Sequence, residues 1–175
     1  SIIVNDDKPI YNYHENGKLK SVTSVRNGLK NGEEIFYDEN GIIEMYKYFE
    51  NDSLRYMAFY KDGKYKRFKG QPIIDVKPNS FRYRNEIKMI KHETTTLEVT
   101  LAKPIGVEME FQIQEFLDDK RLHREFFTVE EGANRVEYEL KNEDAKNLVI
   151  RYAHKTQMDN GNEMTVLAGV KALII

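Results

Sequence analysis

The residues best suited to bind a ligand lie between positions 60 and 70, where aromatic and cationic side chains alternate. The segment reads Tyr-Lys-Asp-Gly-Lys-Tyr-Lys-Arg-Phe-Lys-Gly. This mixture is typical of surfaces that bind polyanions or proteins, because cations attract negative charge and tyrosine adds contact area at a small entropic cost. The sequence therefore predicts a binding surface that comprises Tyr60, Lys64, Tyr65, Lys66, Arg67 and Lys69.

The same segment has a second interpretation, as an edge strand whose lysines prevent pairing with other chains. Regular alternation along such a strand would divide its side chains between two faces. One face would carry Lys64, Lys66 and Phe68. The other would carry Tyr65, Arg67 and Lys69.

Charge is distributed unevenly along the chain, although the formal net charge is only −2. Residues 1–53 carry 6 basic and 10 acidic side chains, residues 54–91 carry 11 and 3, and residues 92–175 carry 10 and 16, which gives −4, +8 and −6. The basic middle segment predicts a partner that is another protein or an envelope polysaccharide. A long nucleic acid fits less well, because the acidic flanking segments would repel it.

Catalytic and metal-binding patterns are missing from the sequence. It contains no cysteine nucleophile, no nucleophile elbow, no phosphate-binding glycine loop and no zinc-binding helix motif. The four histidines stand singly, without metal-ligand neighbours at short spacing: His14, His92, His123 and His154. We therefore expect no cofactor, no metal and a protein that is not an enzyme.

Paired carboxylates leave one enzymatic alternative open, a small hydrolase that acts on sugars. Glu108 and Glu110 lie two residues apart, as do Glu137 and Glu139. In an alternating strand each pair lies on the solvated face, whereas a glycosidase needs its two acids to face each other across a cleft. The pair Asp118 and Asp119 precedes Lys120 and Arg121 and predicts a hairpin turn; the two cations weigh against a calcium site there.

A repeat organises the first part of the chain. Residues 13–17 read Tyr-His-Glu-Asn-Gly, residues 37–41 read Tyr-Asp-Glu-Asn-Gly, and a shorter Tyr-Lys-Asp-Gly follows at 60–63. Five glycines follow an asparagine, which is the strongest short hairpin signal because both residues tolerate positive φ. They are Gly17, Gly28, Gly32, Gly41 and Gly161. The pattern predicts stacked β-hairpins, since one small unit cannot bury its apolar face alone.

The unit formed by Tyr-x-x-Asn-Gly, a strand and a second Asn-Gly resembles the MORN-repeat variant family of bacterial β-hairpin repeats. The resemblance covers residues 11–70. The second unit departs from it by placing Asp52 and Tyr56 where the later pair of glycines should be, and the third unit ends near Gly70. The family implies a sheet of stacked hairpins and no activity; some of its members are labelled antitoxins.

The second half of the chain alternates with a period of two. Apolar Val107, Met109, Phe111 and Ile113 alternate with polar residues, and similar segments follow up to residue 174. Six or seven strands in about ninety residues predict an antiparallel β-sandwich. The pattern resembles immunoglobulin-like domains of bacterial envelope proteins, without the Cys-Trp-Cys signature, since the chain has neither residue. A turn is favoured over a helix at 143–147.

These observations predict an all-β protein in three segments. Stacked hairpin repeats occupy 1–70, a linker that contains Pro72 and Pro78 occupies 71–84, and an immunoglobulin-like antiparallel β-sandwich occupies 85–175. The alternative for the middle segment is a connection packed on both halves, which Ile73, Ile74 and Val76 favour. No apolar stretch reaches the roughly 18 residues of a membrane helix.

The predicted function is a non-enzymatic interaction or structural module of the bacterial cell envelope. The sequence starts at Ser1 and not at methionine, so we expect a processed or trimmed chain whose signal peptide or lipid anchor has been removed. The expected location is periplasmic, cell-surface or secreted. A cytoplasmic location is the alternative, because an absence of cysteines suits both compartments.

Overall fold

A computed structural model of the chain is all-β. It describes residues 7–77, 86–89, 94–107, 109–117, 120–129, 135–141, 148–157 and 163–174. These residues form fourteen strands and no helix, so none of the described elements is an apolar helix long enough to cross a bilayer. The chain divides into two compact units: residues 1–72 with 104–106, and residues 73–103 with 107–175.

The first unit is one antiparallel sheet of six strands in sequence order. Each strand is joined to the next by a hairpin, as the repeat predicts. The strands are β1 Ile10–Tyr13, β2 Leu19–Arg26, β3 Leu29–Tyr37, β4 Ile43–Glu50, β5 Ser53–Lys61 and β6 Lys64–Gly70.

Two-residue turns close three of these hairpins, β2–β3, β4–β5 and β5–β6. Both central residues of each turn have positive φ, as a type I′ turn requires. Hairpins favour this turn because its backbone twist matches that of the flanking strands. The central residues are Asn27 and Gly28 (51° and 76°), Asn51 and Asp52 (46° and 64°), and Asp62 and Gly63 (53° and 74°). Asp52 therefore forms the same kind of turn as Gly28, which lies 24 residues earlier.

Longer turns join β1 to β2 and β3 to β4, and each contains the first glycine of its repeat. Gly17 has φ 82° and Gly41 has φ 84°, which confirms the positive φ predicted for both. The Gly17 N–H donates to the His14 carbonyl at 2.9 Å, and the Gly41 N–H donates to the Asp38 carbonyl at 3.0 Å. These are type I turns followed by a left-handed glycine, and not the type I′ turns that Asn-Gly predicts.

The Asp38 carboxylate organises the second of these longer turns. It accepts the backbone N–H groups of Ile42 and Asn40, each at 2.8 Å. The Ile42 N–H is the main reason that the pKa of Asp38 lies below its usual value. Local bonds of this kind fix a turn without a buried core.

Hydrogen bonds also join equivalent turns of successive repeats. The Asn16 amide donates to the Glu39 carbonyl at 3.0 Å. At the opposite end of the strands, the Lys30 N–H donates to the Asp52 carboxylate at 2.7 Å, and the Asp52 N–H donates to the Lys30 carbonyl at 2.9 Å. The repeats therefore stack through their turns as well as through their strands.

The prediction of a hairpin at Asn31 and Gly32 is wrong. Both residues lie inside β3, where the pairing with β2 is shifted between Thr23 and Val25. Gly32 has φ 104°, and an added Cβ there would lie 3.2 Å from the Ser24 Cβ. Glycine is therefore needed where the β2–β3 pairing is irregular, and not in a turn. Gly161 lies outside the described residues.

The second unit contains two sheets. One has five strands in the order β11-β10-β13-β14-β8, in which only the β14–β8 pair is parallel; the other has three antiparallel strands in the order β12-β9-β7. The strands are β7 Ile73–Lys77, β8 Glu86–Met89, β9 Thr94–Leu101, β10 Met109–Leu117, β11 Lys120–Thr128, β12 Arg135–Lys141, β13 Leu148–Gln157 and β14 Glu163–Ile174.

The core of the second unit joins these two sheets. Phe111 on β10 is fully buried and its ring lies 6.1 Å from that of Phe127, which in turn meets Tyr138 of the other sheet edge-on at 6.3 Å. Buried members of the three-stranded sheet complete the cluster: Ile73, Val76, Leu97, Val99, Leu101, Val136 and Leu140. Two sheets that share one core form a sandwich. The immunoglobulin-like identity of this sandwich stays a prediction.

The predicted linker at 71–84 differs from the structure in its first half. Residues 73–77 form β7, which pairs with β9 through Ile73 and Val76. Their side chains are 4% and 0% exposed, so hydrophobic burial holds this segment in the second unit although Pro72 precedes it. Residues 78–85 and the turn predicted at 143–147 lie outside the described residues.

Candidate binding surface

The six-stranded sheet has two chemically different faces. Residues opposite each other in a ladder share a face, and Ile35, Tyr46 and Ala58 are opposite one another in neighbouring strands. We call the face that carries them the tyrosine face, because it also carries Tyr48 and Tyr56. Its central side chains are buried, with Tyr46 and Ala58 at 0% exposure.

The opposite face, which we call the cationic face, carries six basic side chains. Two rows of opposed residues cross it: Glu34, Lys47, Met57 and Lys69 in one, and Phe36, Met45, Phe59 and Arg67 in the other. Lys61 and Lys64 oppose each other beside the last turn on the same face, and Lys30 reaches it through a contact with Glu34. Its six cations are Lys30, Lys47, Lys61, Lys64, Arg67 and Lys69.

A β-bulge in β6 overturns the face assignment that regular alternation predicts. Phe59 opposes Arg67, but the next residue, Tyr60, opposes Tyr65, so Lys66 is the extra residue of the bulge. An extra residue reverses the alternation on one side of it. Tyr65 therefore shares the tyrosine face with Phe68 and does not share a face with Arg67.

The structure divides the six residues of the predicted binding surface accordingly. Lys64, Arg67 and Lys69 are exposed on the cationic face, and Lys66 is exposed at the bulge. Tyr65 is only 4% exposed, with its hydroxyl 3.5 Å from that of Tyr56. Burial removes Tyr65 from any surface that a partner could reach, and the prediction is wrong for this residue.

Tyr60 also lies on the tyrosine face. Its hydroxyl donates to the Ile105 carbonyl at 2.8 Å, and its ring meets that of Tyr65 edge-on at 6.0 Å. These contacts give Tyr60 a structural role within the first unit, to which residues 104–106 belong. The predicted aromatic and cationic groups are thus separated by the sheet.

The aromatic partners of the cations come instead from neighbouring strands. The Arg67 guanidinium lies 4.6 Å from the centre of the Phe59 ring, and the Lys47 ammonium lies 4.7 Å from that of Phe36. The Lys30 ammonium lies 4.9 Å from the ring of Phe49. Cation–π attraction stabilises such pairs and holds the cations against the sheet.

Sequence reasoning missed Lys30 and Lys47, because both lie in the acidic first segment of the chain. The repeat itself carried a usable signal for Lys47, since residues 24 apart occupy equivalent places in successive repeats. Thr23 and Lys47 are separated by that spacing and lie opposite the same residue, Glu34. A map of the repeat onto a hairpin ladder would have brought Lys47 beside the basic segment.

Glu34 is the one carboxylate that the ladder places on the cationic face in the described sheet. Its side chain is 5% exposed, accepts the Lys30 ammonium at 2.6 Å and lies 3.8 Å from that of Lys47. The Thr23 hydroxyl donates to it at 3.0 Å. A buried carboxylate needs such partners, so Glu34 orders two cations and leaves the exposed surface of the face basic.

The tyrosine hydroxyls are held neutral. Burial raises the pKa of Tyr46 well above its usual value, and the neighbouring Glu33, which accepts the Tyr46 hydroxyl at 2.9 Å, raises it further. Burial also raises the pKa values of Tyr56 and Tyr65. A phenol with a raised pKa is a poor nucleophile or base near neutral pH, so this cluster suits packing rather than catalysis.

Catalytic candidates of the sequence are not brought together in the described part of the chain. His14 lies 2.9 Å from the Tyr37 carbonyl in the first longer turn, and His123 stacks on Tyr138 of the second unit. The described residues contain no group of three potential metal ligands. His92, the side chain of His154, Glu108, Asp118 and Asp119 lie outside what the structure describes.

The second carboxylate pair follows the alternation that the sequence predicts. Glu137 and Glu139 are both exposed on β12, with Tyr138 buried between them. Glu137 lies opposite Glu98, which forms ion pairs with Lys77 at 3.1 Å and Arg135 at 3.3 Å. The cations offset the repulsion of these acids, and the arrangement is a charged sheet surface.

Comparisons with known proteins give little further guidance. No protein-family model matches the chain, and no curated protein matches it. A similar solved structure is the extracellular domain of a B. thetaiotaomicron protein described as a one-component system, with 10% identity and a TM-score of 0.37. The match covers 99% of this chain but only 32% of that one. A likeness this distant supports no argument about fold or function.

Proposed function

We propose that this chain is a non-enzymatic interaction module of a bacterial cell envelope, built on hairpin repeats of the MORN-variant type. Its binding surface is the cationic face. The observation that carries the proposal is the collection of six cations on one side of a single sheet, with one buried carboxylate among them. A face of this kind recognises charge over an area and requires no pocket.

The partner that fits this surface is an acidic polymer, and an envelope polysaccharide with regularly spaced carboxylates is the favoured form. Arg67 and Lys69 are two residues apart on β6, so their cations can contact successive acidic groups of an extended chain. Half-buried Met57 and Phe59 lie directly opposite them and supply apolar contact. An acidic protein surface is the second form of the proposal.

Binding can be tested with polygalacturonate as an acidic polysaccharide and dextran as a neutral one. Because the attraction is electrostatic, we expect calorimetric binding of polygalacturonate at low ionic strength that weakens as salt is added. Dextran should not bind. Absence of polygalacturonate binding at low salt would exclude the polysaccharide form and leave the acidic protein to be tested by the same variants.

Two charge-matched double variants separate the cationic face from general charge effects. Lys64→Glu with Lys69→Glu should weaken binding at least about tenfold, since each lost contact with a charged group is worth on the order of 1 kcal/mol. Lys120→Glu with Arg121→Glu changes the net charge equally at exposed positions of β11 in the second unit and should have a much smaller effect. Equal weakening by both pairs would contradict the assignment of the surface.

A further inference from the structure

The two edges of the six-stranded sheet differ in how they are protected. β6 forms the last edge and carries Lys64, Lys66, Arg67 and Lys69 together with a bulge, all of which discourage further pairing. Among the strands that the structure describes, β1 forms the other edge, and its sequence Ile-Tyr-Asn-Tyr has no charge. A free edge without charge is a template for another strand.

Apolar exposure is concentrated on β1. Ile10, Tyr11 and Tyr13 are 52%, 53% and 61% exposed, and they are three of the eight large apolar side chains that are exposed in the described part of the chain. The strand has only four residues. Tyr11 and Tyr13 are two residues apart and so lie on one face of β1, and adjoining exposed apolar side chains mark contact surfaces more often than single ones do.

From these features we propose that β1 pairs with β1 of a second copy of this chain, antiparallel and about a two-fold axis, and so joins two sheets into one. The register follows from the hydrogen bonds within the chain. The His14 N–H donates toward β2, to the Lys18 carbonyl at 2.9 Å. Because these bonds alternate along a strand, the N–H and carbonyl groups of Tyr13 and Tyr11 point away from β2, toward the open edge.

A two-fold axis through Asn12 satisfies these outward groups. It places Tyr11 of each copy opposite Tyr13 of the other. Both outward residues then form hydrogen-bonded pairs in which one tyrosine lies beside another. The alternative axis through Tyr11 would place Tyr13 opposite Pro9, which has no N–H to donate. The preferred register therefore opposes Asn12 to its own counterpart and excludes Pro9 from the ladder.

The occupant is a second copy because the edge is complementary to itself. No like charges meet in this register, whereas β6 of another copy would bring several cations to the junction. A perpendicular two-fold axis also keeps each face of the sheet on its own side. The cationic faces of both copies would then form one continuous surface.

Disulfide trapping tests the register, since the chain has no cysteine of its own. Asn12 and its counterpart would form a non-hydrogen-bonded pair with Cα atoms about 4.5 Å apart, which a disulfide can span. Mild oxidation of Asn12→Cys should therefore give a covalent dimer. Ile10→Cys lies on the same edge, but its counterpart would be about 13 Å away, so it should stay monomeric. Equal cross-linking of both variants would overturn the register.

Sedimentation velocity from micromolar to millimolar concentration tests the dimer without cross-linking. We expect a weak, concentration-dependent dimer in the parent chain. Tyr11→Pro removes an N–H that points outward, leaves the bonds to β2 intact and should raise the dissociation constant at least tenfold. Leu122→Thr removes an exposed apolar side chain of the second unit and should not change it. A parent that stays monomeric, or a dimer that survives Tyr11→Pro, would overturn the proposal.

Discussion

Glycine has two different roles in this sheet at the scale of single residues. At Gly17 and Gly41 an added Cβ would meet nothing within 4 Å, so only the positive φ requires glycine. At Gly70, with φ 92°, an added Cβ would lie 2.3 Å from the Arg55 carbonyl oxygen. The last position therefore combines backbone strain with a close approach of two strands.

We predict that alanine substitution separates these two roles. Gly17→Ala and Gly41→Ala should each lower the free energy of unfolding by about 1 kcal/mol, the usual cost of a left-handed alanine. Gly70→Ala should cost about 3 kcal/mol or more, because backbone atoms cannot move aside as a flexible side chain can. Urea denaturation of the three variants provides the measurement. Similar losses at Gly17 and Gly70 would mean that the strand approach is relaxed in solution.

At the scale of strands and turns, local chemistry made much of the hairpin sheet predictable. Asn27 and Gly28 form their turn through their own φ preferences, so the sequence signal and the structural cause are the same. Asn31 and Gly32 carry the same signal but lie within β3. Their conformation depends on how β3 pairs with β2, and a dipeptide pattern contains no information about that pairing.

The candidate site was only partly predictable for the same reason. Lys64, Arg67 and Lys69 are close in sequence and were identified together, but their alternation with Tyr65 is reversed by the bulge at Lys66. Lys47 and Phe36 join the surface from other strands, and cross-strand neighbours are distant in sequence. A register shift of one residue moves a side chain to the opposite face, so composition alone could not assign the faces.

The tyrosine face stabilises the sheet, and this contribution should fall at alkaline pH. Burial raises the pKa of Tyr46 in the folded chain, so the unfolded chain loses its proton first, near pH ~10. The contribution is therefore complete below about pH 10 and is lost as the pH rises toward the folded value. Above pH ~10 each such tyrosine lowers the free energy of unfolding by about 1.4 kcal/mol per pH unit.

Tyr46→Phe is expected to reduce this alkaline slope by about one such increment. Denaturant titrations at several pH values between about 9 and 11.5 would measure it. Ile35→Val is the matched control, since it removes a buried methyl group from the same face without removing an ionisable group. If Tyr46→Phe and Ile35→Val kept the parental slope alike, Tyr46 would be ionising freely in the folded chain.

At the scale of the whole molecule, the position of β7 decides where the second unit begins. Ile73 and Val76 belong to its buried cluster, and Val76 lies opposite Val99 of β9. The proline-based prediction placed the start of this unit at residue 85. Hydrophobic burial argues instead for a start at residue 73, because each buried aliphatic side chain contributes about 1.5 to 3 kcal/mol.

We predict that a fragment of residues 73–175 is more stable than one of residues 85–175 by at least about 3 kcal/mol, the contribution of two buried aliphatic side chains. Thermal and urea unfolding followed by circular dichroism would compare them. In the intact chain, Val76→Ala should destabilise the second unit, whereas Lys77→Ala removes an ion pair with Glu98 in which the lysine is 59% exposed and should cost less than about 1 kcal/mol. Equal stability of the two fragments, together with a negligible effect of Val76→Ala, would place β7 outside the cooperative core and restore the linker that the prolines suggest.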